Sequence, residues 1–411
     1  MQLRDRLAYA GVARGRLPPR PKTAVALPRG FKTGRNRLGE VHYRDQYWSL
    51  DHRHGEYELA AALDLDPVLA DRLAPGLPGL DLRAAAFLDI ETTGLSGGTG
   101  TYAFLVGLGT FEAFSFRVRQ FFLADPSGEA AMLSELTDAL DRRGLVVTYN
   151  GKSFDLPQLA TRYTLSRLLG PLQGMFHIDL LHPARRLFGR RLESCRLADV
   201  EREVLGLRRP GDVPSWLIPG LYFAFIRRRD LAGLHPVFEH NTLDVLSLPS
   251  LLAALNSAAG AAAEGDAAHL LALGRWDEQR GRLQEAASLY RRAWLAESDP
   301  HTGGEAAWRL ARLLRREGAW DECAAVWRAE EASAASIVRV VRARVELAKM
   351  AEHRDRDLPR ALTLARAAAA LLQRHPSVAR SLPRTNASLA HRLARLERRT
   401  ASASLGRQAP G

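Results

Sequence analysis

The apolar positions between residues 84 and 255 change period several times, and each change predicts an element. The stretch "AAAFLDIE" (84–91) is an apolar run closed by two carboxylates, the pattern of a buried strand with a polar end. "TYAFLVGLGTFEAFSFRVRQFFLA" holds two more strands, with alternation plain in "FSFRVRQFF". "SGEAAMLSELTDALDRR" (127–143) moves to helical spacing, with Ser127 expected as its N-cap. "GLVVTYNG" returns to strand and turn, "DLPQLATRYTLSRLL" to helix, and "GMFHIDLLHPARRLF" to a short strand running into a helix. "FEHNTLDVLSLPSLLAAL" (238–255) reads as one long helix. Strands first, then strands alternating with helices, predict an α/β domain with a mixed sheet flanked by helices over 51–256.

Upstream, "ELAAALDLDPVLADRLA" (58–74) reads as a helix broken by Pro67, and "EVHYRDQYWSL" from Glu40 as a strand for a sheet edge. Residues 1–50 otherwise read as a basic, flexible arm. After "NSAAGAAAEGDA" the pattern turns purely helical. "GRLQEAASLYRRA" (281–293) and "GAWDECAAVWRAE" (318–330) align at 37 residues, setting Gly281 on Gly318, Leu283 on Trp320 and Tyr290 on Trp327. A third copy from Leu358 follows at 38. Such a period predicts an all-α domain of stacked helix pairs over 262–375, and the unit resembles the tetratricopeptide repeat.

Charge changes this picture at the two ends. Of a formal net charge of +12, residues 1–40 carry +8 and residues 374–411 carry +7, leaving the body slightly acidic. Basic ends suit contact with a phosphate backbone, or are simply solvated. Residues 376–411 are accordingly expected to form a basic tail. No run approaches the ~20 uninterrupted apolar residues of a membrane helix, so no membrane association is expected. The N-terminus lacks the apolar core of a secretory signal. Cys195 and Cys323 stand in no ligand spacing, which excludes a disulfide framework and fits a cytoplasmic protein.

The candidate chemistry lies in three places. Asp89 and Glu91 share one face of a strand, an unfavourable pairing unless solvated or bridged by a cation. In "VVTYNGKSFDLPQL" a strand ends at Asn150 and Asp155 opens the next helix. In "EHNTLDVLSL", His240 and Asp244 share a helix face. "GLSGGTGT" lacks the Lys-Ser/Thr ending of a nucleotide-triphosphate loop and reads as a glycine-rich turn.

In this order the residues resemble the DEDD exonucleases of the ribonuclease-H-like (DnaQ-like) superfamily. The first motif, DxETTG, matches Asp89 to Gly94; the second matches Asn150 with the pair Phe154-Asp155; the third matches His240 and Asp244. "HIDLLHPARRLFGRRLESCRLADVEREVLGL" and "IPGLYFAFIRRRD" resemble the YprB-type branch, bacterial proteins that join this domain to tetratricopeptide repeats. The resemblance implies a metal-dependent nuclease, a 3′→5′ exonuclease, holding two Mg²⁺ or Mn²⁺ ions on Asp89, Glu91, Asp155 and Asp244. It implies His240 as general base. The three-residue gap before Asp244 is that of the tyrosine subclass, whereas the histidine subclass spacing would place Glu239 there. Trp216 stands where that branch is expected to have glycine.

Thr92, Asn150, Lys152 and Phe154 are the candidates for nucleic-acid contact, Lys152 with a phosphate and Phe154 against a terminal base. Lys152 equally suits a turn, and Phe154 a core. His177 and His182, flanking Asp179, read as structural or supporting residues. The competing function is a non-catalytic scaffold that binds nucleic acid, DNA or RNA, and docks a protein partner through its repeats. Survival of all four acids favours catalysis.

Overall fold

A computed structural model describes residues 27–405 except 78, 95–98, 142, 297–298 and 334–335. The chain divides into two compact units, Met1–Ala259 and Gly260–Gly411.

The first unit is built on a seven-stranded sheet in the order β1-β2-β7-β6-β5-β8-β9. The first two strands are Lys32–Asn36 (β1) and Gly39–Ser49 (β2), so the expected arm 1–50 enters the sheet well before its end. Residues 1–26 lie outside the described residues. β2 is not an edge strand: β1 pairs with one side of it and β7 with the other. It belongs there because Val41 and Arg44 are buried and Tyr43 packs against the core. A two-residue hairpin follows, Arg53–His54 (β3) with Tyr57–Glu58 (β4). The expected helix over 58–74 is a short turn, Leu59–Leu63, and a separate helix, Pro67–Leu73 (α1). Pro67 starts α1 rather than breaking it, since a first-turn residue needs no backbone donor.

β5 (Ala85–Thr92) pairs antiparallel with β6 (Ala103–Phe111), and β6 with β7 (Ser115–Phe122). The helix α2 (Glu129–Leu140) starts two residues later than Ser127, which instead donates to Asp125 Oδ1. On the other side of β5 the pairing turns parallel, first to β8 (Leu145–Thr148) and then to β9 (Phe176–Asp179), with α3 (Asp155–Leu165) as crossover. The expected mixed sheet flanked by helices is the observed one. The remaining helices are α4 (Leu181–Phe188), α5 (Leu197–Glu203), α6 (Ile218–Arg228) and α7 (His235–Ala263).

α7 lies against the middle of the sheet. Gly107 on β6 makes this possible: a β-carbon there would fall 2.5 Å from Asn241 Oδ1. Gly107 is also the register partner of Asp89, so α7 docks on the sheet face that carries the carboxylates. α7 holds no uninterrupted apolar run of membrane length, yet by length and mean hydropathy it could cross a membrane; 72% of its apolar window is buried inside the protein.

The second unit is helical throughout its described residues. Three consecutive pairs are α8 (Ala267–Gln279) with α9 (Leu283–Leu295), α10 (Pro300–Arg316) with α11 (Trp320–Ala332), and α12 (Ile337–His353) with α13 (Leu358–Arg374). The 37-residue period has a backbone cause. Gly281 and Gly318 both take φ +77° at the turn within a pair, and Arg356 takes φ 57° at the third. Left-handed residues there reverse the chain sharply, and glycine does so without strain. Tyr290 is fully buried and Trp327 nearly so.

The expected basic tail is instead two helices, α14 (Pro376–Ser381) and α15 (Pro383–Leu405). Leu382, Leu389 and Leu396 bury one face against α12 and α13. Arg392, Arg395 and Arg399 converge on Glu352, whose side chain is 0% exposed. Three of the eight arginines of residues 374–411 are thus paired with a buried carboxylate.

A candidate metal centre of four carboxylates and a histidine

The C-terminal end of β5 carries Asp89 and Glu91 on one face, and a register shift between Glu91 and Thr92 closes the strand. Such an irregularity turns the chain where pairing ends. α3 brings Asp155 as its first residue, and α7 brings His240 and Asp244 on successive turns. All five line one cleft of about 190 Å³, together with Ile90, Thr92, Tyr149, Asn150, Phe154, Ser215 and Pro219.

Three of the acids have one oxygen fixed by a donor. Asn241 Nδ2 donates to Asp89 Oδ2 at 2.8 Å, the Ile90 amide to Asp155 Oδ1 at 3.2 Å, and Arg209 Nη1 to Asp244 Oδ1 at 2.6 Å. Asn241 is itself held by Gln120 Nε2 at 2.8 Å, and Gln120 by the Arg44 guanidinium at 2.7 Å. The four carboxylates are close enough to act on one another electrostatically. Burial, and then the charges of Asp244 and Asp155, push Asp89 and Glu91 well above the usual carboxylate range. Burial likewise pushes Asp155 up to about 7.

His240 stands between two of them. Its Nε2 is 3.8 Å from Glu91 Oε1 and 3.4 Å from Asp244 Oδ2, and these three side chains could together ligate one ion. Its Nδ1 lies 2.8 and 2.9 Å from the two oxygens of Asp212. A carboxylate on Nδ1 favours the tautomer that carries its proton there, leaving the Nε2 lone pair directed at the cleft. Glu239 points elsewhere, to Arg44 at 3.4 Å, and is absent from the cleft wall. Geometry therefore separates the two residues that motif spacing left open.

The supporting candidates divide. Asn150 and Phe154 line the cleft; Thr92 does too, but its hydroxyl donates to Gly94 O at 2.8 Å. Lys152 is exposed and is not on the cleft wall. Its amide and that of Asn150 donate to the Asp179 carboxylate at 3.0 and 2.8 Å, which fixes the turn with Asn150 at φ 63°. His177 is hydrogen-bond distance, 2.8 Å, from Thr148 Oγ1 and His182 is exposed, so neither joins the cleft. The glycine-rich turn is only partly described, since 95–98 lie outside the described residues. Sequence reasoning missed Asp212, Arg209 and Asn241. Only Asn241, between two motif residues, carried a positional signal; Arg209 and Asp212 sit in an aperiodic connection between α5 and α6.

Residues 86–256 match the RNase_H superfamily, the class that the mixed sheet and its acidic end define. Over 331 residues, 78% of each chain, the protein is 34% identical to the uncharacterized protein YprB of Bacillus subtilis (strain 168). The chain belongs to the YprB family and carries an RNase_H superfamily domain.

Proposed function

We propose that the first unit hydrolyses phosphodiester bonds of nucleic acid as a metal-dependent 3′→5′ exonuclease. The observation that carries this reading is the set of four carboxylates that line one cleft with no lysine or arginine among the described residues of its wall. A purely structural cluster would neutralise itself; this one holds its acids in mutual repulsion. The donor set fits hard divalent cations, Mg²⁺ or Mn²⁺, with Asp89, Glu91, Asp155 and Asp244 as the holders. When bound, two such ions would offset the carboxylate charge and stabilise charge on the attacking and leaving oxygens.

The protein groups then act as follows. Asp212 keeps the His240 proton on Nδ1 and so keeps Nε2 basic. Nε2 takes a proton from the attacking water, whose oxygen bonds to the phosphorus of the terminal nucleotide as the bond from that phosphorus to the 3′ oxygen of the penultimate nucleotide breaks. Solvent protonates the leaving oxygen. Phe154 and Asn150 flank the terminal nucleotide.

The helical unit we take as tetratricopeptide-like and as the docking module for a protein segment. A pocket of about 600 Å³ there has Trp308, Trp320 and Trp327 in its wall; Lys349 is paired with Glu346 and Arg312 with Glu278, while Arg315 and Arg354 leave the wall net basic, which suits an acidic segment with an apolar anchor.

End-labelled single- and double-stranded DNA and RNA, with Mg²⁺ or Mn²⁺, test the reading. Release of terminal mononucleotides from one of them is expected, and His240→Ala should slow it about 10²-fold with Mn²⁺ affinity retained. A chain ending at residue 264 should keep the activity. No cleavage of any substrate would leave the scaffold reading; loss of Mn²⁺ affinity in His240→Ala would make the imidazole a ligand instead.

A further inference from the structure

Arg209 is the cation nearest the acidic cleft that the function above leaves unused. Its side chain is 8% exposed and reaches three carboxylates. Nη2 is paired with Glu201, Nη1 is 2.6 Å from Asp244 Oδ1, and the same Nη1 is 3.6 Å from Asp212 Oδ2. Asp244 and Asp212 are the carboxylates nearest His240, one at each ring nitrogen.

The guanidinium is anchored from behind. Ser247 Oγ donates to Glu201 Oε1 at 2.5 Å, and His54 Nε2 is 2.8 Å from that hydroxyl. The hydroxyl hydrogen is committed to Glu201, so His54 must be the donor to Ser247. A chain of contacts thus runs from the β3–β4 hairpin through α7 and α5 to Asp244. Glu201 is 1% exposed, Ser247 0% and His54 3%, so no link can exchange its partner for water.

We propose that Arg209 is a positioning residue that fixes how Asp244 and His240 face the cleft. By holding Oδ1 of Asp244 it leaves Oδ2 as the single oxygen offered to a cation. By lying beside Asp212 it steadies the carboxylate that orients the imidazole. The proposal rests on the reading of Asp244 as a cation ligand. It adds that the cleft carries one built-in positive charge, which weakens cation binding slightly in exchange for geometry.

Arg209→Gln and Arg209→Lys separate this from a role in folding alone. Metal-free melting and circular dichroism first establish that each variant is folded. Mn²⁺ binding is then read by calorimetry and by the Mn²⁺-induced melting shift, and turnover at saturating Mn²⁺. Arg209→Gln removes a positive charge, so Mn²⁺ should bind roughly 3- to 10-fold more tightly. Its turnover should nonetheless fall about 10-fold or more, because the ligand and base are no longer held. Arg209→Lys keeps the charge and loses the fork, so its affinity should stay within about twofold of wild type while turnover again falls.

A merely structural arginine would lower affinity and turnover together, and that result overturns the proposal. So does wild-type turnover in Arg209→Lys, which also decides the matter should Arg209→Gln fail to fold. If the wild type binds Mn²⁺ but cleaves nothing, the nuclease reading fails while the affinity comparison still judges Arg209. If the wild type binds no Mn²⁺, the proposal falls with the cation site.

Discussion

In the helical unit Glu330, Glu278 and Glu352 have arginines against them, whereas the acids at the end of β5 have other acids as their neighbours. Glu330 takes Arg339 at 2.6 and 2.7 Å and the Trp294 indole N–H at 2.6 Å. Glu278 takes Arg309 at 2.8 Å, Arg312, and the Tyr290 hydroxyl at 2.6 Å. Glu352 takes three arginines from α15. Burial alone would raise the Glu352 pKa, but the Arg395 hydrogen bond and the charges of Arg392 and Arg395 hold it below the usual range. Asp89 and Glu91 shift the other way, raised by burial and by neighbouring acids. Each unit removes carboxylates from water and pairs many of them with arginines, but at Asp89 and Glu91 the neighbouring charges are acids. The helical arginines neutralise buried charge within their own unit; under the proposed function, the deficit at β5 is left for an external cation.

The sharpest way to break this contrast is to neutralise one acid in each unit. Asp89→Asn should abolish hydrolysis, by about 10³-fold or more, since removing a group that acts only with its neighbours forfeits the whole set. It should leave metal-free stability unchanged or raised, because it relieves repulsion. Glu352→Gln should do the reverse, leaving turnover intact and costing about 2–3 kcal/mol. That lies below the ~3–5 kcal/mol for breaking a buried pair because Arg395 and Arg399 are half exposed and can return to water. Denaturant melts and cleavage rates of both variants decide it; a destabilised, active Asp89→Asn protein would refute the distinction.

Removing or adding the cation probes the same deficit without mutation. Mn²⁺ at about 100 times its Kd should stabilise the first unit by about 2.7 kcal/mol through mass action, and EDTA should reverse it. The Asp89→Asn, Asp155→Asn double variant should lose that shift. Equal shifts in both proteins would mean that Mn²⁺ binds elsewhere.

A smaller effect concerns His54, buried beneath the Arg209 chain. Burial, then the charges of Arg209 and His52, lowers its pKa to about 3. The unfolded chain therefore binds this proton between about pH 6.5 and pH 3 while the folded chain does not. His54 thus destabilises the fold as pH falls through that window. Between pH 7.5 and pH 5 the loss should be about 2 kcal/mol. The raised carboxylates act in the opposite sense over acidic pH, so the quantity to measure is the difference between wild type and His54→Gln. Parallel stability curves for the two proteins would show that His54 titrates normally.

Legibility from sequence followed the range of the interactions. Asp89 and Glu91 could be set on one face by strand alternation alone, and His240 with Asp244 by the helical turn, because those periods belong to the backbone. Gly281 and Gly318 announced the helix pairs for the same reason, a local conformation repeated at a fixed distance. Nothing local marked Arg209 or Asp212, which earn their positions from a connection that crosses behind α7. Nor could charge along the chain reveal that Arg392, Arg395 and Arg399 are held by Glu352, 40 to 47 residues away. β1 read as part of an arm because an exposed, basic strand has little hydrophobic signal of its own; its place comes from pairing with β2. By itself the sequence determined the two kinds of architecture and four of the acids. Tertiary packing alone decided which charges are neutralised and which are left to face a cleft, because that depends on which surfaces meet.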